Sequence, residues 1–215
     1  MAVSVPNGAI VNMAKGYSAP VTIQAISNAN PAVASATGHT FKQGDYVEIT
    51  SGWSRLANKI VRVGAVTSGT FELEGYDTSL TSIYATGGGA GSARSITGWQ
   101  QISQILSSSS SGGDQQFLEY QFLEADAQQR IPTFKNAAGL TLSVGDDPTL
   151  PGYQLASQAN DDRLPRAAQI ALPSGAKILY NNYVSFNKTP TLTVNELMAC
   201  ALTLSFLNEP VRYAS

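Results

Sequence analysis

From Thr191 to Phe206 the apolar residues fall on even positions: Leu192, Val194, Met198, Cys200, Leu202, Leu204 and Phe206. The odd positions, Thr191, Thr193, Asn195, Ala199, Ala201, Thr203 and Ser205, are small or polar. A period of two belongs to a strand with one face on a core and the other turned away. Extended throughout, this strand would span about 50 Å at about 3.3 Å per residue, more than a small domain needs for itself. Glu196 is the charged even position and marks a bend or bulge between two halves. A small, polar outer face suits a sheet that continues into neighbouring subunits. The pattern points to an assembly protein rather than an enzyme.

Alternation recurs along most of the chain. Val3 to Ile26 reads as strand, with a turn near Lys15-Gly16. Val47 and Ile49 face one way in the next strand, and Tyr46 and Glu48 the other. Ile60 to Val66, Phe71 to Glu74 and Ala93 to Ile96 complete a block of short strands punctuated by Gly44, Gly52, Gly64, Gly69 and Gly75, as in a small barrel or sandwich. Trp99 to Leu106, Gln116 to Glu124 and Ala138 to Val144 follow as further strands. Between the first two, Ser107, Ser108, Ser109, Ser110, Ser111, Gly112 and Gly113 offer nothing to bury and read as a mobile loop. Asp146-Asp147-Pro148 is a capped helix start, predicting a helix from about Leu150 to Asp161 with Leu155 and Ala159 on one face. Arg163 to Leu172, a turn at Pro173-Ser174-Gly175, and a return strand from Lys177 to Asn187 lead into the terminal strand. The expected fold class is mainly β (α+β): an antiparallel β-sandwich or partial barrel with one packed helix.

Composition narrows the function. Charged residues make up 13% of the 215 and the formal net charge is −2. That is about half the usual charged share. A surface this poor in charge suits subunits that bury it against one another. No Lys/Arg cluster marks a nucleic-acid binder. The one cysteine, Cys200, leaves no intrachain disulfide and no Cys-based metal site, and reads as a buried hydrophobe. The N-terminus lacks a signal-peptide pattern, and no run reaches the roughly 20 apolar residues of a membrane span, so the protein is expected to be made in a cytoplasm.

Gly139-Leu140-Thr141-Leu142-Ser143-Val144, a capped helix, Leu172-Pro173-Ser174-Gly175, the return hairpin from Ile178 to Phe186 and the closing Asn208-Glu209-Pro210 together resemble the major tail tube protein of long, non-contractile-tailed (siphovirus-type) bacteriophages. The likeness covers residues 98–215 and the opening strands, 1–20. Residues 21–97, with Ala29-Asn30-Pro31-Ala32-Val33, Gly44-Asp45-Tyr46-Val47 and Phe71-Glu72-Leu73-Glu74-Gly75, resemble an inserted SH3-like small β-barrel module.

The resemblance implies a structural virion protein. Hexameric rings would stack into a hollow tube whose inner β-barrel forms the channel for DNA ejection. The implied partners are further copies of the chain, DNA and a tape measure protein transiently in the lumen, and tail terminator and distal tail proteins at the ends. It implies no cofactor, no membrane partner and a place in the phage tail. The serine loop 107–113 would order when rings stack. Ala199, Ala201, Thr203 and Ser205 would face a neutral to acidic lumen, since holding phosphate relies on Lys and Arg. Apart from the resemblance, Trp53, Tyr76 and Tyr84 are candidates for an outward aromatic patch on the inserted module, and packing within the small barrel accounts for them equally well. Other readings are a tail terminator, a capsid decoration protein, or a carbohydrate-binding host-adhesion module.

Catalytic signatures are sparse. His39, the only histidine, sits in a Gly38-His39-Thr40 turn, with Asp45 and Glu48 its nearest carboxylates in sequence, and reads as structural rather than as part of a triad. Gly87 to Ser92 lacks the Lys-Ser/Thr and helix of a phosphate-binding loop and reads as a flexible turn. Asp146-Asp147 and Asp161-Asp162 lack calcium-loop spacing. Glu119 and Glu124 have opposite strand parity, against a glycosidase pair.

Overall fold

The computed structural model describes residues 7–214. Val3–Pro6 of the expected opening strand lie outside them. The first strand is β1 (Ile10–Tyr17), and it runs straight through Lys15-Gly16. A bulge there, rather than a turn, shifts its register against the strand Gly91–Ile102. Lys15 is the extra residue, and the chain stays extended beside it.

A run of short strands follows: β2 (Val21–Ile23), β3 (Ala25–Ile26), β4 (Ala32–Ser35), β5 (Tyr46–Ser51), β6 (Lys59–Val66) and β7 (Thr70–Leu73). The long β8 (Gly91–Ile102) comes next. Its first residues pair with β2 and β5, and β6, β7, β4 and β3 continue the order. Gln24 alone separates β3 from β2, so the sheet returns to its own start and closes into a small barrel. Inside it Val47, Ile49, Val61, Val63, Phe71 and Leu73 are each fully buried.

The second half of β8 leaves the barrel and pairs with β1, from Ile96 against Tyr17 to Ile102 against Val11. The main sheet continues through β13 (Arg166–Ala171), β14 (Lys177–Phe186), β15 (Ala199–Phe206) and β12 (Gly139–Gly145) to β9 (Ile105–Ser111). The short β16 (Val211–Tyr213) pairs with the start of β14. The expected mainly β architecture with a single helix is therefore found.

Helix α1 (Pro151–Asp162) packs Leu155, Ala156 and Ala159 onto one face of this sheet. There they meet Val11, Met13, Leu142, Val184, Phe186, Cys200, Leu202 and Leu204. Each large aliphatic side chain so buried contributes about 1.5–3 kcal/mol. The helix starts within one residue of the expected Leu150, but its entry differs from the Asp-Pro cap expected. Pro151, not Pro148, takes the first helical turn after Leu150, while Asp147 accepts hydrogen bonds from Thr149 in the preceding turn.

Two sequence expectations change. The terminal strand is half as long as its pattern, running only over Ala199–Phe206. Residues 192–198 make a loop closed by Thr191 pairing with Ala199, with Asn195 at φ 66°. The alternation of Leu192 and Val194 is real, but no strand lies opposite to bury them. Ser107–Ser111 are strand, not loop. They pair residue by residue with β12, from Ser107 opposite Ser143 to Ser111 opposite Gly139. Backbone pairing holds them, and it asks nothing of the side chains. Gly112 and Gly113, both at positive φ, turn the chain out of β9.

Candidate assembly surfaces

Antiparallel register assembles an open face on the side of β14, β15, β12 and β9 away from α1. Ser185, Thr203, Thr141 and Ser109 lie in one row across the four strands. Tyr183, Ser205, Gly139 and Ser111 form the next, and Ala201, Ser143 and Ser107 a third. The Thr141 and Thr203 hydroxyls lie 3.3 Å apart. None of the residues in these rows is charged. Of the expected lumen residues, Ala201 and Ser205 are exposed here and Thr203 half-buried, whereas Ala199 is buried against the end of β12. No described strand pairs with the outer edge of β9. That edge leaves backbone donors and acceptors free for a further strand.

Between β9 and β12 the chain leaves the sheet as a hairpin of β10 (Gln115–Tyr120) and β11 (Gln129–Lys135). The sequence pattern had indicated β10 but not β11, whose Pro132 reads against strand. Strand β10 ends at Tyr120, short of the expected Glu124, and the chain turns from Phe122 to Ala125, with Leu118 and Phe122 both left uncovered. Phe117, Leu118, Phe122, Leu123, Ile131 and Phe134 are all about half exposed or more, and Leu123 wholly so. Arg130 pairs with Glu119 across the hairpin. A two-stranded hairpin without a core is marginal alone in water.

The aromatic residues of the barrel do not form an outward patch. Trp53 is 4% exposed, donates Nε1–H to Ala85 O at 2.8 Å and meets Tyr84 edge-on. The Tyr84 and Tyr76 hydroxyls are 3.2 Å apart, and Tyr76 donates to Arg55 O. Gly88 and Gly89 pack against the Trp53 ring, and Gly91 against the backbone of Thr50. A Cβ on Gly91 would fall 2.0 Å from Thr50 O, and one on Gly89 within 3.0 Å of the Trp53 ring. A polar cleft of about 460 Å³ lies beside Tyr76 and Tyr84, between barrel and hairpin base, and is bordered by Arg55, Lys59, Lys135 and Glu209. Burial holds the Lys59 ammonium below its usual range, while the bond from Lys135 holds the Glu209 carboxyl down.

The barrel meets the main sheet through polar groups that sequence reading left unassigned. Tyr46 and Glu48, on the strand face opposite Val47 and Ile49, turn towards the main sheet and not to solvent. Glu48 is 4% exposed, accepts from Asn181 Nδ2 at 2.7 Å and pairs with Arg94. Arg94 stacks over Tyr17 at 4.0 Å, and the Tyr17 hydroxyl accepts from Ala167 N–H. Tyr213 seals the other side, accepting from Arg62 N–H. Burial pushes both phenols up to about 12. The one available signal was a buried-strand pattern whose second face mixes an aromatic with a carboxylate.

The remaining candidates for chemistry have structural partners. His39 stacks on Phe41 with Nε2 3.2 Å from Thr70 O. Asp161 pairs with Lys188 and Asp162 with Arg166. Asp146 accepts from Tyr153 and from the buried Cys200, whose thiol is pushed up by burial. Among the described residues no cluster of His, Cys, Asp and Glu could hold a metal ion, and no helix is long and apolar enough to cross a membrane.

A low-charge, β-rich subunit with a free sheet edge, an uncharged open face and an unsupported apolar hairpin is an assembly protein. Its sequence matches the model of the phage tail tube protein (TTP) family over residues 51–215, so the chain belongs to that family and is a structural component of the virion. No curated protein matches it. Among solved structures it is similar to a chain in the virion of a native gene transfer agent particle, at 12% identity and TM-score 0.42, covering 54% of this chain and 89% of that one. It is also similar to a chain of the sheath–tube complex of an extracellular contractile injection system, at 20% identity and TM-score 0.38, covering 50% and 80%.

Proposed function

We propose that the protein forms hexameric rings that stack into the tail tube of a siphovirus-type phage, with residues 21–97 an SH3-like insert on the outside. The free outer edge of β9, beside the uncharged rows of β14, β15, β12 and β9, carries this reading. Strand addition from an identical neighbour closes the sheet and removes the edge. The rows then line the lumen. They offer hydroxyls to water and no cation to hold phosphate, so DNA slides through during ejection. A tape measure protein fills the lumen before DNA does, and tail terminator and distal tail proteins cap the two ends. The subunit is made in the host cytoplasm and has no catalytic role.

Ring stacking passes from the serine segment, now part of the sheet, to the β10–β11 hairpin it leads into. Negative-stain electron microscopy of the purified chain tests the proposal. Tubes built from six-fold rings are expected. Monomers that persist at high concentration overturn it, and single rings that never stack favour a terminator. Replacing Thr203 and Ser109 with Lys should slow DNA ejection from assembled particles several-fold. An unchanged rate would move these rows out of the lumen.

A further inference from the structure

The cleft between the barrel and the hairpin base collects charge from stretches of chain far apart in sequence. Arg55 lies in the turn between β5 and β6, and Lys59 opens β6. Lys135 ends β11, and Glu209 lies between β15 and β16. Three cations against one carboxylate leave a positive surplus here, in a chain whose formal net charge is −2. Among the described residues, Arg55 and Lys59 take part in no ion pair. Lys135 is bonded to Glu209, but both side chains are more than half exposed, where such a bond holds weakly.

The frame around these charges is fixed. Tyr76 O–H donates to Arg55 O at 2.9 Å. Asn208 Nδ2 donates to Ala57 O at 2.8 Å and so ties the segment carrying Glu209 to the barrel turn. At the hairpin base Gln115 and Thr133 both donate to Gln116 O. With Tyr76 donating to Arg55, the Tyr84 O–H is left to donate to Tyr76. The neutral donors lining the cleft are thus turned onto the chain itself. Those left for a ligand are cationic, one guanidinium and two ammonium groups. Burial and the neighbouring Arg55 charge both disfavour the Lys59 ammonium, and Glu209 offsets them only in part. An anion beside Lys59 corrects that imbalance. The cleft's size also falls in the range of roughly 300–1,000 Å³ found for small-molecule sites.

We propose that this cleft binds a dianionic phosphate group, free or esterified on a small molecule. A phosphate monoester carries a charge of about −1.5 to −2 at neutral pH, which matches the surplus, whereas one carboxylate leaves half of it unmet. Arg55 presents a planar fork to two phosphate oxygens, and Lys59 and Lys135 act as point charges. Glu209 opposes the ligand and competes with it for Lys135. The bound group links Arg55 and Lys59 of the barrel to Lys135 of the hairpin.

Isothermal titration calorimetry on the whole chain tests the site, with glucose 6-phosphate, inorganic phosphate and neutral glucose as probes at matched ionic strength. At least one phosphate should bind at a single site, and glucose should not bind. Tighter binding of glucose 6-phosphate assigns the site to an esterified phosphate, and tighter binding of inorganic phosphate to the free ion. Arg55→Gln with Lys59→Gln should weaken binding about ten-fold or more. Glu209→Gln should tighten it by removing the opposing carboxylate. Arg55 is exposed, and its bond from Tyr76 goes to the backbone, so Arg55→Gln alone should melt with the parent and still weaken binding. The proposal is overturned if neither phosphate binds, if glucose binds equally well, if Arg55→Gln leaves binding unchanged, or if Glu209→Gln weakens it.

Discussion

The closed barrel and the β10–β11 hairpin carry the same alternating sequence pattern and meet opposite fates. In the barrel, Phe71 touches Phe41 and His39 across a closed sheet and is fully buried. In the hairpin, Phe117 and Leu118 are neighbours on opposite faces, and both are more than half exposed. Periodicity reports that a strand has two kinds of face. Whether the apolar face is covered depends on what the rest of the chain sets against it. For the barrel the chain supplies that cover itself; for the hairpin it does not.

The sharpest test removes matched aromatic side chains. Phe71→Ala should cost about 3–5 kcal/mol, as emptied aromatic core sites do, and lower the thermal midpoint markedly. Phe117→Ala should leave the monomer's midpoint within about 0.5 kcal/mol of the parent, as surface changes do. Equal effects in calorimetry would erase the distinction between the two regions.

A smaller effect is expected where the barrel meets the main sheet. Glu48→Ala strands the buried Asn181 amide and leaves the partly exposed Arg94 without its partner, costing about 2–3 kcal/mol in denaturant unfolding. The same junction sets an alkaline limit. Tyr17 and Tyr213 are held up to about 12 by burial, against an ordinary 10.0. With the folded value above the unfolded one, their contribution is fully present below about pH 10 and lost as pH rises through about 12. Each phenol then removes about 1.4 kcal/mol per pH unit in that window. Tyr17→Phe should flatten the fall in stability, and a pH profile that stays steep would exclude this phenol as its source. The least effect belongs to the exposed Glu119–Arg130 pair. Arg130→Ala should change unfolding free energy by no more than about 0.5 kcal/mol.

Much of the fold was legible because its buried positions are periodic. Cys200, Leu202 and Leu204 sit where alternation placed them, and Leu155 and Ala159 face the sheet as helical spacing required. What stayed hidden depends on partners distant in sequence. Ser107–Ser111 form an edge strand through hydrogen bonds to β12, and no side-chain pattern records such bonds. Leu192 and Val194 look like strand residues until the left-handed Asn195 turns the chain. Of the candidate surfaces, the polar rows at Ala201, Thr203 and Ser205 could be read from one strand, but their width needed the register of four. Trp53 looked like a surface aromatic because the glycines packed on its ring give no apolar signal.

Strand β8 serves both halves of the molecule without interruption. Its first residues are stitched into the barrel and its last into the wall that carries β1. A continuous strand pinned at both ends cannot swivel as a tether would. The barrel must therefore turn with the wall, like a pointer fixed to a shaft. A fluorescent label on the barrel would follow any torsion travelling down an assembled tail.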